Sequence, residues 1–408
     1  MKRSALALSA FLAALVLPHA VRADFNACLA RLRSQAVANG ISAATFAAAT
    51  QGIRPDGKVL ELMGHQPEFK TPIWDYIAML VDEERVADGR AAMRDWGAAL
   101  AAAEARYGVD RHVLAAVWGV ESNYGKDKGE FGLVQSLATL ACHAGRRRDY
   151  FGGELMAALH IVQRGDIKAN RLTGSWAGAF GHTQFMPSTF RRLAVDLDGD
   201  GRRDVMDSVP DALGSTANFL RKARWSPGLA WGCEVRLPAG IDARLAGRRR
   251  KRPAANWAAM GITCIDGRPV NGLGAAGLIL PAGPRGPAFL VTKNFDALYA
   301  YNAAESYGLA IAVLSDRLRG GPGIRTPWPT DDRGLSRAER RELMRLLASH
   351  GYDVGEPNGR IGARTQAAIR EVERRIGMTP TGRAGGRLLD ALRRTVPAAG
   401  SRFMSPPG

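Results

Sequence analysis

Residues 320–334 read Gly-Gly-Pro-Gly-Ile-Arg-Thr-Pro-Trp-Pro-Thr-Asp-Asp-Arg-Gly. Three prolines and four glycines in this stretch remove backbone donors and leave too much conformational freedom for the segment to fold alone. The chain must therefore organise itself as a long region before this linker and a short one after it. Its 408 residues allow two or three domains at about 100–200 residues each. A hydrophobic fraction of 46% excludes wholesale disorder.

The long region changes texture along its length. Residues 25–51, 74–107 and 109–121 are Ala-rich with apolar side chains at three- and four-residue spacing, which predicts helices. From 232 to 300 Pro and Gly recur, and the short apolar runs Leu278-Ile279-Leu280 and Phe289-Leu290-Val291 predict small strands joined by loops. Residues 299–318 return to a helical pattern. After the linker, Ser336 followed by Glu339 is a capping box, opening a helix whose apolar stripe is Leu343, Leu346 and Leu347. Turns follow at Gly351–Gly355 and Asn358-Gly359. A second helix then carries Ala368, Ile369, Val372 and Ile376 on one face, and a third begins at Leu388. No internal repeat appears, and the residues after Pro397 read as a frayed tail.

The first 23 residues bear on compartment. Lys2 and Arg3 precede an apolar run from Ser4 to Leu17, and Val21-Arg22-Ala23 offers small residues at the positions a signal peptidase reads. We expect a signal peptide cleaved near Ala23 and a periplasmic mature protein; an uncleaved anchor is the rival reading. No later stretch is long and apolar enough for a transmembrane anchor. An oxidising compartment lets Cys28, Cys142, Cys233 and Cys264 form disulfides. None belongs to a C-x-x-C pair and none has a histidine at zinc spacing. Three connectivities are possible; we expect Cys28–Cys142 with Cys233–Cys264, because the second pair brackets a local loop.

Net charge is +17, from 56 Lys+Arg against 39 Asp+Glu, which points to a polyanionic partner. Only nine of the basic residues are Lys, and an Arg/Ala/Gly bias can also reflect a GC-rich genome. From Arg333 onward there are 15 Arg and 7 Asp+Glu, so the surplus is concentrated in the C-terminal region. Export and the lack of a recognisable nucleic-acid module exclude nucleic acid as the expected partner.

Three segments carry chemistry. In Val117-Trp118-Gly119-Val120-Glu121-Ser122-Asn123-Tyr124-Gly125 a carboxylate ends an apolar helix. Desolvation beside Trp and Val raises a carboxyl pKa, as a general acid for a glycosidic oxygen requires; a helix-capping Glu is the plainer reading. Residues 174–188 are rich in Gly and aromatics, with Ser175 and Gln184 among them. Such a segment suits backbone approach to a sugar, and a tightly packed structural loop would look similar. Residues 196–207 place Asp196, Asp198, Asp200, the Arg202 carbonyl, Asp204 and Asp207 at the ligand positions of an EF-hand loop, with Gly201 at the turn. The last position is Asp where Glu is usual. With no second such loop in the sequence, a structural Ca2+ (or Na+) is expected rather than a sensor.

Two apparent motifs fail on context. Gly272-Leu273-Gly274-Ala275-Ala276-Gly277 matches a dinucleotide fingerprint, but Pro281 leaves no room for the helix that must follow. Arg248-Arg249-Arg250-Lys251-Arg252 reads by default as a solvated loop. No G-x-S-x-G elbow is present.

Glu121–Gly125, the 174–188 segment, the Asp196–Asp207 loop and Tyr299-Ala300-Tyr301-Asn302-Ala303-Ala304-Glu305-Ser306-Tyr307 occur in that order. As a set they closely resemble the lytic murein transglycosylases of the B type, over roughly residues 25–320. Residues 335–395, with Gly351–Gly355 and Arg364-Thr365-Gln366-Ala367-Ala368-Ile369, resemble a small three-helix peptidoglycan-binding domain, although Glu373-Arg374-Arg375 stands where many relatives carry a Gln-Arg pair.

The resemblance implies a mainly α fold: a lysozyme-like catalytic domain with a small β/loop insertion, then a small three-helix C-terminal domain. The implied division is 1–23 signal peptide, 24–319 catalytic domain, 320–334 linker, 335–395 peptidoglycan-binding-like domain and 396–408 tail. It implies cleavage of the MurNAc–GlcNAc β-1,4 bond with formation of 1,6-anhydroMurNAc and no cofactor required for the chemistry. Glu121 matches the single acid/base; Ser175, Gln184, Tyr301, Asn302 and Tyr307 match positions lining the cleft; the Asp loop matches a cation site. The expected partners are peptidoglycan glycan strands, and the expected state is a monomer. A hydrolytic muramidase on the same fold, with Asp127 or Glu130 as a second carboxylate, and a non-catalytic wall-binding scaffold are the alternatives.

Overall fold

The computed structural model describes residues 17–63 and 71–394, with side chains from residue 24. The expected signal peptide and tail lie outside these residues, except that the backbone from Leu17 begins the first helix. Among the described residues no helix is long and apolar enough to cross a membrane. The chain forms two compact units, each built from two stretches of sequence: residues up to 67 with 121–219, and 68–120 with the remainder from 220.

Unit 1 contains α1 (Leu17–Ala38), α2 (Ala43–Ala49) and α3 (Gly57–Met63). The predicted helix over 25–51 is interrupted because Gly40 turns in the left-handed region, φ +79°, and Ser42 then caps α2 by accepting from Thr45 N. The first stretch of unit 2 supplies α4 (Ile73–Leu80), α5 (Glu83–Asp95), α6 (Gly97–Tyr107) and α7 (Arg111–Ser122), whose last two residues belong to unit 1. The expected helix over 74–107 is three helices: Asp82 caps α5 through Arg85 N and so separates it from α4, and Trp96, at ψ +24°, separates α5 from α6.

After α7 the chain builds β1 (Phe131–Gly132), α8 (Leu133–His143), α9 (Arg148–Arg164), β2 (Thr173–Gly174), α10 (Pro187–Leu193) and α11 (Val209–Lys222). Unit 1's core lies along α8 and α9, with Leu137, Leu140, Phe151, Leu155 and Leu159 almost fully buried. The Cys28–Cys142 disulfide ties α1 to α8.

In unit 2 the Pro/Gly-rich region folds as β3 (Gly232–Arg236), β4 (Arg252–Pro253), α12 (Ala254–Ala259), β5 (Thr263–Cys264), β6 (Ala275–Ile279) and β7 (Ala288–Val291). The strands form an antiparallel sheet in the order β4-β6-β7-β3-β5. Leu278 and Leu290 pair across it, and Cys233–Cys264 bridges β3 and β5. Both disulfides are those expected. Trp257 of α12 fills the core over the sheet, its Nε1 donating to Ala276 O at 2.8 Å.

The antiparallel pair α13 (Lys293–Asn302) and α14 (Glu305–Leu318) follows, then α15 (Arg337–Ser349), α16 (Ala363–Arg375) and α17 (Gly386–Arg394). The last three close on Leu343, Leu347, Ile369, Leu388 and Leu389. The Ser336–Glu339 capping box is formed as its sequence predicts. The fold is thus mainly α and lysozyme-like, with small sheets and a helical C-terminal region, as expected.

The linker cannot fold alone, and it does not hang free. Glu234 accepts from Arg325 N and Thr326 N, each at 2.8 Å. Beyond it, Arg337 reaches the buried Asp82 at 3.0 Å, Arg383 reaches Asp75 at 2.6 Å, and Arg341 reaches Glu84 at 2.7 Å.

Candidate active site and cation loop

Glu121 stands, half-buried, in the last turn of α7. The chain then passes through Asn123 and Tyr124 at φ +50° and +60°, a region costly for residues with a Cβ, so the surroundings must enforce it. Ser122 supplies much of that enforcement. Its buried hydroxyl donates to His182 O at 2.5 Å and accepts from Gly125 N at 2.9 Å, while its carbonyl accepts from Asp127 N at 2.9 Å. The acid's helix end is thereby tied to the 174–188 segment.

That segment is held just as closely. β1 pairs with β2, placing Phe131 opposite Gly174. A Cβ on Gly129 would come within 2.2 Å of the Gly174 carbonyl carbon, so no other residue fits there without moving the backbone. Ser175 and Ala179 close a small loop, Ser175 N donating to Ala179 O and Ala179 N to Ser175 Oγ. Phe180 and Phe185 exchange backbone hydrogen bonds and bury both rings. Gln184 sits between them at φ +50°, its Nε2 donating to Lys128 O and Gly181 O. Ser175 and Gln184 are half-buried, so both combine a fixed backbone with a side chain that remains reachable.

The third segment braces the first two. His182 N donates to Val205 O, and Lys128 Nζ donates to Met206 O. Burial, with Lys128 second, pushes the His182 imidazole down from its ordinary 6.5 to about 4. Between those values the folded protein binds fewer protons than the unfolded chain. The stabilisation is therefore complete above pH 6.5, declines as pH falls, and is gone below about 4. A loss of about 3 kcal/mol across this window is expected from His182 alone. Urea-unfolding free energies at pH 7, 5 and 4 check this: the pH dependence should be shallower in His182→Gln than in wild type.

In the acidic loop, Asp196, Asp198, Asp200 and Asp211 place one carboxylate oxygen each within 4.8 Å of one another. Asp204, expected among the ligands, instead accepts from Met206 N and Asp207 N, and Asp207 pairs with Arg171 at 2.9 Å. The Arg202 side chain folds back onto Asp200. The sequence reading missed Asp211. It lies on α11, four residues past the twelve-residue template, and reaches the loop by accepting from Leu197 N and Asp204 N. Burial, then the Asp198 carboxylate, push its pKa up against the pull of those backbone donors. An all-oxygen set with crowded negative charge fits a hard cation of the calcium type.

Unit 2 carries the remaining matched residues. Tyr301 and Asn302 end α13, and Ala303 turns the chain at φ +49° into α14. Tyr307 is 2% exposed and stacks on Tyr301 with ring centres 6.1 Å apart. It therefore supports Tyr301 more than it offers a face of its own. Arg248 corrects the expectation of a solvated basic run. Its side chain is only 10% exposed, lies 3.7 Å over the Tyr299 ring and pairs with Asp296, which Lys251 also reaches at 2.9 Å. Sequence charge counting could not foresee this, because Asp296 and Tyr299 lie more than forty residues on.

Comparison with known proteins supplies the context. The Transglycosylase SLT domain family matches residues 24–316, and a peptidoglycan binding domain family matches residues 336–392. Membrane-bound lytic murein transglycosylase B of Escherichia coli (strain K12) is 31% identical over 271 residues, covering 63% of this chain and 72% of that protein. The crystal structure of SltB3 from Pseudomonas aeruginosa in complex with NAG-anhNAM-pentapeptide is 45% identical, with a TM-score of 0.73, covering 90% of this chain and 99% of that one. The Escherichia coli lytic transglycosylase Slt35 in complex with calcium is 27% identical, with a TM-score of 0.63, covering 72% and 92% respectively.

Proposed function

From the premise that this chain belongs to the Transglycosylase SLT domain family, we propose how its residues divide the work of a peptidoglycan lytic transglycosylase. The enzyme cleaves peptidoglycan. The observation that carries the residue assignment is the single half-buried Glu121, at a helix end fixed by Ser122 to the 174–188 segment.

Protonated Glu121 donates to the GlcNAc O4 as the MurNAc C1–O4 bond breaks, and the substrate's acetamido group supports the electron-poor C1. The resulting carboxylate takes the proton of the MurNAc C6 hydroxyl as O6 bonds to C1. A 1,6-anhydro ring forms, Glu121 recovers its proton, and no water is consumed. One carboxylate suffices, whereas most hydrolytic glycosidases need two. Glu130 argues against a second: its side chain is 82% exposed and lies 3.7 Å from Lys58. In this reading Ser175 and Gln184 of unit 1 hold saccharide, and Tyr301, Asn302 and Tyr307 are the substrate-binding residues contributed by unit 2. Residues 24–319 form the catalytic domain, 320–334 the linker and 335–395 the wall-binding domain of a periplasmic monomer whose signal ends near Ala23. Mass spectrometry of digested murein tests the chemistry. Anhydro products, lighter by one water than their hydrolytic counterparts, are expected, and reducing-end MurNAc alone would mean a muramidase.

Asp196, Asp198, Asp200 and Asp211, with the Arg202 carbonyl, would hold a calcium ion. The ion would take no part in the chemistry; it would stiffen the loop whose Val205 and Met206 carbonyls anchor His182 and Lys128. Saturating calcium at about a hundredfold above Kd should add about 2.7 kcal/mol of stability. Calorimetry should show that rise in wild type and in Asp207→Ala, but not in Asp198→Ala.

A further inference from the structure

We infer that unit 1 carries a second, cationic binding trough, apart from Glu121, that receives an extended acidic peptide: the stem of a peptidoglycan strand. The stem as the source of the peptide rests on the peptidoglycan reading above; the trough and its charge do not.

The trough is a cavity of about 600 Å³ between α1 and α9. Arg31 and Arg148 line it, and Arg191 of α10 lines it together with His160. Among the described residues the side chains of these three arginines make no ion pair, in contrast to Arg164 and Arg203 in the adjoining cavity, which are engaged by Asp166. Spare guanidinium groups in one concavity suit carboxylates, which they bind with two parallel hydrogen bonds. Asp149 is the one carboxylate in the lining and could take an amine. The side-chain amides of Gln35 and Asn39 lie on the same wall, as a ligand with a peptide backbone requires.

The floor supplies an independent observation. Gly152 and Gly153 sit in the interior of α9, where each glycine costs about 0.5–1 kcal/mol relative to Ala. Neither has the usual structural reason, since a Cβ built on either would meet nothing within 4 Å. A local rule broken without a packing gain marks a functional surface; here the missing side chains keep the trough open. The opposite wall is fixed by the Cys28–Cys142 bond. From Arg148 to His160 the helix rises about 18 Å, close to the roughly 17 Å of a five-residue extended peptide.

Isothermal titration of the full chain with a purified, peptide-only murein stem tests this. Wild type should bind, and the Arg31→Ala/Arg148→Ala/Arg191→Ala variant should bind at least about tenfold more weakly. Gly152→Leu should weaken binding similarly with no loss of melting temperature, because it fills the floor and favours the helix. Both variants should still cleave peptide-free glycan strands at the wild-type rate. No stem binding by wild type, or equal binding by Gly152→Leu, overturns the inference. So does a triple arginine variant that keeps stem binding but loses a binding to phosphatidylglycerol vesicles that wild type shows, which would make the trough a lipid site. Failure of wild type to cleave any glycan would instead overturn the functional reading.

Discussion

Glu121→Gln should lower the release of anhydro-muropeptides by about two to four orders of magnitude, the contribution of a positioned general acid–base, while leaving the melting temperature nearly unchanged. The substitution keeps the size and shape of the side chain and replaces a titratable carboxyl by an amide that cannot shuttle a proton. Ser122 holds this helix end through His182 O and Gly125 N, and Asp127 N adds a bond to Ser122 O. Strand binding should survive, so the loss should appear in kcat rather than KM. Glu130→Gln is the control. Its exposed side chain should leave turnover within about twofold, whereas a fall comparable to that of Glu121→Gln would restore the two-carboxylate hydrolase. A Glu121→Gln protein that still solubilises murein would remove Glu121 from the chemistry altogether.

The largest effect on stability is expected at Asp82. Its side chain is 4% exposed and serves two elements at once. It caps α5 through Arg85 N at 2.8 Å, and it accepts from Arg337 N at 2.9 Å, Nε at 3.0 Å and Nη2 at 3.1 Å. Asp82→Ala removes a cap worth about 1 kcal/mol and the carboxylate of a mostly buried ion pair with Arg337, a loss that typically costs about 3–5 kcal/mol. Urea denaturation should show a correspondingly lower midpoint. The double variant Asp82→Asn/Arg337→Met should recover much of the loss, because both charges of the pair are removed together. The neighbouring Arg341–Glu84 pair, with 32% and 43% of its side chains exposed, should matter by less than about 1 kcal/mol. A drop for Asp82→Ala no larger than for Glu84→Ala would mean that Asp82 does not anchor α15.

What could be read from the chain depended on how local the determining interaction is. The Ser336–Glu339 box spans three residues, and it folds as its pattern predicts. The Cys233–Cys264 bridge closes a local loop and was equally accessible. Helix breaks at Gly40 and Asp82 carried local signals too, but uninterrupted Ala-rich periodicity on both sides obscured them. Asp211 escaped because a twelve-residue template ends before α11 begins, and only the folded loop brings its carboxylate back to Asp196. Arg248 was misjudged for the opposite reason. A basic run looks solvated until a distant Asp296 and an aromatic face are packed against it. The 174–188 segment announced its glycines, but Gly174 is required by the folded loop, where a Cβ would come within 2.2 Å of Ala179 O, and Gly129 by the Gly174 backbone more than forty residues on.

The discontinuous make-up of the two units sets an order of assembly. A chain delivered from its N-terminus has all of unit 1 in hand once residue 219 has emerged, including both halves of Cys28–Cys142. Unit 2 has to wait. Asp75 and Asp82 appear early, yet their partners Arg383 and Arg337 arrive 308 and 255 residues later. Contacts of such separation are slow to close, so α4 and α5 spend the interval without the two arginines that Asp75 and Asp82 later bind. A chain truncated at the linker would never escape that interval, and the α15–α17 region therefore serves as the closing piece of unit 2.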